Sequence, residues 1–365
     1  MNRISSKHFI LFIVGVSLIS LKTYPSIFIN IGGRDTWIST IIAAIVFVAI
    51  LIYIVNIMFK TNSYDINDIF IGSMPKLLGL SLLYLFSITL FVNALESAAV
   101  EVNALHSTLF LQTPVWYALI FFLFPTFFIF SKKLRTLLIF VLVCTFFLII
   151  NSILFILFSQ KYANLDNLLP VLENGLSLNL FTTSLYILGC YSVFMISIPY
   201  LRYIYDYKNI RKHSFQGGII VAVISVASII SIITAFGPLR VSNIFYPEFI
   251  LSQRLEFAGF IEFGEMFFLI QTVLGFFIKY ILSTYSLLII FHKYIKNKPV
   301  FIGIYSFIVF SLAVYFGANN YYLYYLLKYL QIINLIGFIF IPLIVFSFYK
   351  ISYNKKNKKK EIKLS

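Results

Sequence analysis

Residues Thr182 to Arg202 read T-T-S-L-Y-I-L-G-C-Y-S-V-F-M-I-S-I-P-Y-L-R. The stretch is apolar and long enough to cross a bilayer, which takes about 20 residues of helix. Gly189 sits in its middle, Tyr191 and Ser192 follow shortly after, and Pro199 comes ten positions past the glycine. Glycine loosens a helix and proline removes a backbone donor. Inside hydrocarbon, such a break is tolerated only where protein encloses it. The first apolar segment repeats the device, with Gly15, Ser17 and Ser20 ahead of Pro25, again ten positions from glycine to proline. Two interrupted helices at matching places in two halves are the sequence mark of a transporter-type site at mid-membrane.

The rest of the 365-residue chain agrees. It is 61% hydrophobic and 11% charged, with 42 Phe and 25 Tyr, more apolar surface than a soluble core could hide. Ten spans are expected at roughly 8–28, 36–59, 79–105, 115–131, 136–158, 180–201, 216–236, 264–291, 300–317 and 331–350. The net charge of +15 comes from short basic runs between spans, which argues for cytoplasmic loops rather than nucleic acid. With the N-terminus inside, Lys60, Lys76, Lys132, Lys133, Arg135, Arg202, Lys208, Arg211, Lys212, Lys293, Lys296, Lys298 and the Lys350–Lys363 tail all fall on the inner side. Both termini are therefore expected in the cytoplasm, with the basic tail against anionic lipid or solvated. Arg3 and Lys7 precede an apolar run, but no small-residue cleavage site follows, and the segment is read as an uncleaved first helix.

The predicted fold is all-α and polytopic, two inverted five-helix repeats with helices 1 and 6 interrupted. The first repeat covers 1–160, an outer connecting loop 161–179, the second repeat 180–350, and a basic tail 351–365. Two outer segments, Lys161–Asn179 and Gly237–Phe263, mix apolar residues with Pro and Asn and should pack on the outer membrane face.

Charges inside spans are costly, about 2.5–3.5 kcal/mol each on insertion scales, so each needs a partner or a function. The third span holds Glu96 and Glu101; Asn93, Glu96 and Ser97 share a face. Two readings stand for Glu96: a ligand-facing carboxylate, or half of a structural ion pair. Glu101, nearer the outer interface, reads as structural pairing. In the eighth span Thr272, Lys279, Ser283 and Ser286 form one stripe. Lys279 is expected to pair with Glu96, the alternative being a lysine neutralised by burial. Lys22 reads as a lysine snorkelling outward. The candidate ligand residues are Ser17, Ser20, Glu96, Tyr191, Ser192, Lys279 and Ser283.

Catalytic chemistry finds no support. His8, His106, His213 and His292 lie scattered at span edges without metal spacing, and no G-x-S-x-G, Walker-A or H-E-x-x-H motif occurs. Cys144 and Cys190 both sit in apolar segments, away from any disulfide framework. The chain reads as a non-enzyme without cofactor or metal.

Several places together resemble the endospore germination permease family, the B subunits of nutrient germinant receptors. They are Thr23-Tyr24-Pro25 followed by Asp35-Thr36-Trp37-Ile38-Ser39; Thr113-Pro114; Asp166-Asn167-Leu168-Leu169-Pro170-Val171-Leu172 through Gly175-Leu176; and Gly259-Phe260-Ile261-Glu262 with Glu265. The pattern runs in order over essentially the whole chain. It departs at Phe263, where the family usually has Arg, at Gln271-Thr272, where it often has Trp, and at Tyr191-Ser192-Val193, where it commonly has a glutamate. The resemblance implies an amino acid–polyamine–organocation transporter-like fold in the spore inner membrane. It also implies a small-molecule germinant, often an amino acid, and A-type and C-type partner subunits. A self-sufficient proton- or cation-coupled amino acid transporter, or a channel subunit without ligand, are the competing expectations.

Overall fold

The computed structural model describes residues 4–173, 175–257 and 261–364, with side chains outside 256–262 and 356–365. Gly259 and Phe260 of the motif quoted above lie outside that set, as do the side chains of most of the basic tail. Among the described residues nine helices are long and apolar enough to span a membrane: Ser6–Thr23, Ser26–Thr61, Lys76–Thr108, Leu134–Tyr162, Leu178–Tyr203, Tyr207–Phe236, Glu265–Ile290, Lys298–Gly317 and Asn320–Lys355. The shorter apolar helix Val115–Ser131 lies between the third and fourth of these. In chain order they are numbered spans one to ten; Ile4 pairs with Ile204, Arg202 with Asp65 and Tyr349 with Ser63, so both ends of the described chain lie at one face of the bundle, here called the terminal face.

Span one is three short helices: α1 (Ser6–Ser17), α2 (Ile19–Thr23) and, past Pro25 and leading into span two, α3 (Ser26–Gly32). At the first break the backbone bonds lengthen, with Leu18 N to Val14 O at 3.3 Å and Lys22 N to Leu18 O at 3.4 Å. The second break is Tyr24, whose φ of −127° and ψ of 54° leave the helical region. Pro25 disfavours helical backbone at the residue before it, which accounts for that departure.

Span six is regular only from Leu178 to Tyr191 and continues as a 3-10 helix from Ser192 to Tyr203. Twelve residues is long for a 3-10 helix, whose bonds are poorer than α-helical ones. Its serines support it locally: Ser192 Oγ donates to Gly189 O and Ser197 Oγ to Phe194 O, both at 2.6 Å. Gly189 is there for space, because a Cβ at that position would collide with the backbone of Gln331 in span ten.

Span ten differs from expectation. It starts at Asn320, where Asn319 caps it by accepting from Tyr322 N at 3.1 Å. The tyrosine cluster Tyr321–Tyr325 is therefore the first turn of span ten and not the end of span nine. A π-helical turn over Leu335–Phe340 interrupts it, and Gly337 there fits against the side chain of Thr89 in span three. On the face opposite the termini, the loop after span seven folds back and carries a short helix, Pro247–Ser252, hereafter the loop helix. A two-residue antiparallel ladder, Glu256–Phe257 with Ile261–Glu262, precedes span eight.

Candidate ligand site at the helix breaks

The breaks in span one turn polar side chains toward spans three and eight. Glu96 is buried, and its Oε1 accepts from Ser20 Oγ at 2.9 Å and from Tyr24 Oη at 2.6 Å. Its Oε2 takes the ammonium of Lys279, which also donates to Ser20 Oγ at 2.8 Å. The expected pair between Glu96 and Lys279 is thus present, with 0% exposure at Lys279 and 2% at the Glu96 side chain. Ser20 and Tyr24 are four residues apart, one helical turn, so they meet the same carboxylate oxygen from one face.

The geometry also explains why Lys279 can approach span one. Gly275, one turn before it, lies against Ile19 so closely that a Cβ would strike that side chain. Gly15 has the same role one turn earlier in span one, against Thr145 and Ile278. Ser17 and Ser283 flank the pair along their own helices, and the hydroxyls of both, like that of Thr272, are buried without a partner among the described residues. Ser286, the last member of the stripe, donates to Ile196 O of span six at 2.8 Å.

The structure brings Ser20, Glu96 and Lys279 together and sends Tyr191 and Ser192 elsewhere. The Tyr191 ring stacks on Phe47 of span two, centroids 5.1 Å apart and planes at 17°. Ser192 caps its own helix. Span six instead offers Cys190, whose thiol lies within electrostatic reach of both Lys279 and Glu96. Asn93 hydrogen-bonds Asn334 of span ten at 2.6 Å, tying spans three and ten beside the site.

Two further expectations are corrected. Lys22 does not snorkel outward. It is 1% exposed and pairs with Glu248 of the loop helix at 3.1 Å, because that helix folds over it. Lys22 also donates to Ser152 of span five at 3.1 Å, and Ser152 to Gln271 of span eight at 3.0 Å. Burial raises the Glu248 carboxyl above its ordinary value while the Lys22 ammonium opposes the shift. Glu101 makes no ion pair among the described residues either: it is buried, and its Oε2 has no partner among them.

A cavity of about 320 Å³ opens on the face opposite the termini, lined among others by Ser26, Asn30, Asn243, Tyr324 and Lys328. Its floor is aromatic. Tyr324 packs edge-on against Tyr24 at 6.5 Å and against Phe245 at 4.8 Å, and its hydroxyl donates to Phe245 O. The Tyr24 hydroxyl below bonds Glu96. One layer of rings therefore separates the cavity from the charged cluster.

Ten apolar helices, the first broken and the sixth tightened around a buried ion pair, define a membrane protein of transporter architecture. The fold matches the crystal structure of a mutant manganese transporter from Eremococcus coleocola, with a TM-score of 0.66 over 93% of this chain and 78% of that one, at 15% sequence identity. The sequence matches none of the curated proteins compared. Residues 4–322 match the family model described as spore germination protein, and the chain belongs to that family of spore permeases. The resemblance read from the sequence and the transporter-like fold it implied are both borne out.

Proposed function

We propose that the chain is the membrane subunit of a nutrient germinant receptor, and that the cluster at Ser20, Tyr24, Glu96 and Lys279 is where a small germinant binds. One observation carries this reading: a complete, neutral ion pair is buried at the break of span one, directly beneath a cavity open to one face. Buried charges without compensation are expensive, so whatever enters must leave both groups paired. A lone cation at Glu96 would strand Lys279, and a lone anion at Lys279 would strand Glu96. A zwitterion strands neither, since its ammonium faces Glu96 and its carboxylate faces Lys279 and Ser20. That logic favours an amino acid. The unpartnered hydroxyls of Ser17 and Ser283 offer further contacts.

In this reading the two five-span repeats are hinged near 161–179. The terminal face is cytoplasmic, as the lysine and arginine distribution requires, and the membrane is the inner membrane of the spore. A-type and C-type subunits would receive the signal, and the chain itself carries no catalysis. Binding must favour one conformation over the other to produce a response.

The test is a thermal-shift screen of amino acids and nucleosides on the purified protein, since a ligand bound only by the folded state raises Tm. An amino acid should raise Tm in the native chain and fail to do so in Glu96→Gln. A deletion strain complemented with Glu96→Gln should lose its response to that same nutrient. No stabilisation by any small molecule would exclude the ligand site. The second reading, a proton- or cation-coupled amino acid transporter, draws on the transporter-like fold and predicts sustained uptake by the isolated chain in liposomes.

A further inference from the structure

The five-residue helix α2 touches two buried charge clusters at once. Ser20 faces Glu96 and Lys279, and Tyr24 at its end faces Glu96. Lys22 lies two residues from Ser20, about 200° around the helix, and faces the other way. There it meets Glu248 of the loop helix, Ser152 of span five, and the ring of Phe155 at 5.7 Å. Lengthened backbone bonds at Leu18, which itself keeps helical φ and ψ, and the departure from helical backbone at Tyr24 bound the helix on its two sides. A segment so bounded turns or shifts as a unit, without dragging α1 or α3 along.

We infer that α2 is a coupling element: it transmits the state of the Glu96–Lys279 pair to the loop helix Pro247–Ser252 through the Lys22–Glu248 ion pair. When Ser20 leaves Glu96 and Lys279 and Tyr24 leaves Glu96, the polar contacts that hold that face of α2 in register are lost. Rotation then carries Lys22 away from its present position. Glu248 is 2% exposed, and in such surroundings a carboxylate does not part from its counter-ion cheaply. It follows the ammonium and takes the loop helix with it. The surroundings hold spare partners for a second arrangement, because Glu248 Oε2 and Gln271 Nε2 are both buried and without a partner among the described residues. The loop helix is otherwise held by contacts that can slide, Phe249 on Phe268 with centroids 5.3 Å apart and Tyr246 hydrogen-bonded to Asn103. Events at the buried pair thereby reach the surface opposite the termini.

Only the physiological trigger depends on the proposed ligand; the coupling itself does not, and it is tested without one. Hydrogen–deuterium exchange is measured on the full chain in nanodiscs, following backbone amides of residues 247–254. Ser20→Ala and Tyr24→Phe, which touch neither Lys22 nor Glu248, should each speed exchange there about tenfold. Lys22→Met should do the same, and adding Ser20→Ala to Lys22→Met should bring no further increase. Val309→Ala in span nine controls for general loosening: it should lower Tm without singling out the loop helix. Unchanged loop-helix exchange in both Ser20→Ala and Tyr24→Phe would overturn the coupling. So would an undiminished effect of Ser20→Ala on top of Lys22→Met, or an equal rise in the Val309→Ala control. None of those results would bear on amino acid binding, which the thermal-shift screen decides separately.

Discussion

Lys279 of span eight sets its ammonium on Oε2 of Glu96 in span three while donating to the hydroxyl of Ser20, which in turn donates to Oε1 of the same glutamate. The three residues form a closed ring of direct contacts. Removing one charge from such a ring leaves the other buried and uncompensated, which costs about 3–5 kcal/mol. Lys279→Met and Glu96→Gln should each destabilise the protein by an amount of that order, read as a lower Tm. The double variant should be more stable than the sum of the two losses, because neither charge is then stranded. Thermal denaturation of the four proteins in one detergent checks this, and strict additivity would show that the two residues do not depend on each other.

Tyr24 is the contact between that ring and the aromatic floor of the cavity. Tyr24→Phe keeps the ring that packs on Phe28 and Tyr324 and removes only the hydroxyl bonded to Glu96. A hydrogen bond to a charged group contributes about 1.5–3 kcal/mol. The variant should therefore be destabilised within that range and should lose response to the germinant, without loss of membrane insertion. Germination of a complemented deletion strain, normalised to protein level by immunoblot, measures the response.

How much of this site was legible in the sequence depends on how local each cause is. Glu96 and Lys279 announce themselves because a charge inside an apolar run needs compensation. Pro25 marks a break because its backbone chemistry is intrinsic, whereas Gly15 and Gly189 mark the right segments but serve the close approach of neighbouring helices. Lys22 misleads, since its place near a span end permits snorkelling and only the folding of a distant loop onto it decides otherwise. Glu248 carries no signal at all: a carboxylate in a loop is ordinary, and its burial arises from a contact 226 residues away in sequence. Tyr191 and Ser192 fail as site residues for another reason. Tyr191 still belongs to the regular helix, which turns its ring onto Phe47 and leaves Cys190 nearer the ion pair, while Ser192 begins the 3-10 segment, where projecting faces at 100° per residue stops working.

Gly189 provides a test of the fold that needs no ligand. A Cβ there meets the backbone of Gln331, which cannot move aside as a flexible side chain can. Gly189→Ala should force spans six and ten apart and abolish the well-folded monodisperse protein on size exclusion. Gly303 in span nine has nothing within 4 Å of an added Cβ. Gly303→Ala should be neutral or stabilising by up to about 1 kcal/mol, the helix preference of alanine over glycine. Equal tolerance of both substitutions would contradict the close approach of spans six and ten.

The terminal face carries a separate device whose strength depends on pH. Asp206, between spans six and seven, accepts from the Ser6 N–H at 2.5 Å, the Ser6 hydroxyl at 2.9 Å and the Ser5 hydroxyl at 3.0 Å. Burial alone would raise its pKa, but these donors outweigh it and hold the carboxyl below its ordinary value. A carboxylate with a depressed folded pKa contributes stability that is complete above the unfolded value of about 3.9 and lost as pH falls through the folded one. His213 meets the Ser6 hydroxyl at 2.8 Å and feels Asp206, Lys7 and Lys212, and His8 Nδ1 accepts from the Ser5 N–H at 3.3 Å. The N-terminal segment, also paired to the chain by Ile4 N to Tyr203 O at 3.0 Å, should stay bound at neutral pH and detach in strong acid. Asp206→Asn should detach it already at neutral pH, exposing Lys7 to trypsin roughly fivefold to tenfold faster, the effect of losing about one net hydrogen bond. Because the asparagine does not titrate, its cleavage rate by an acid-active protease such as pepsin should no longer rise as pH falls below about 4, the point where the native protein begins to lose this contact. A native-like acid response in Asp206→Asn would assign the titration to another group.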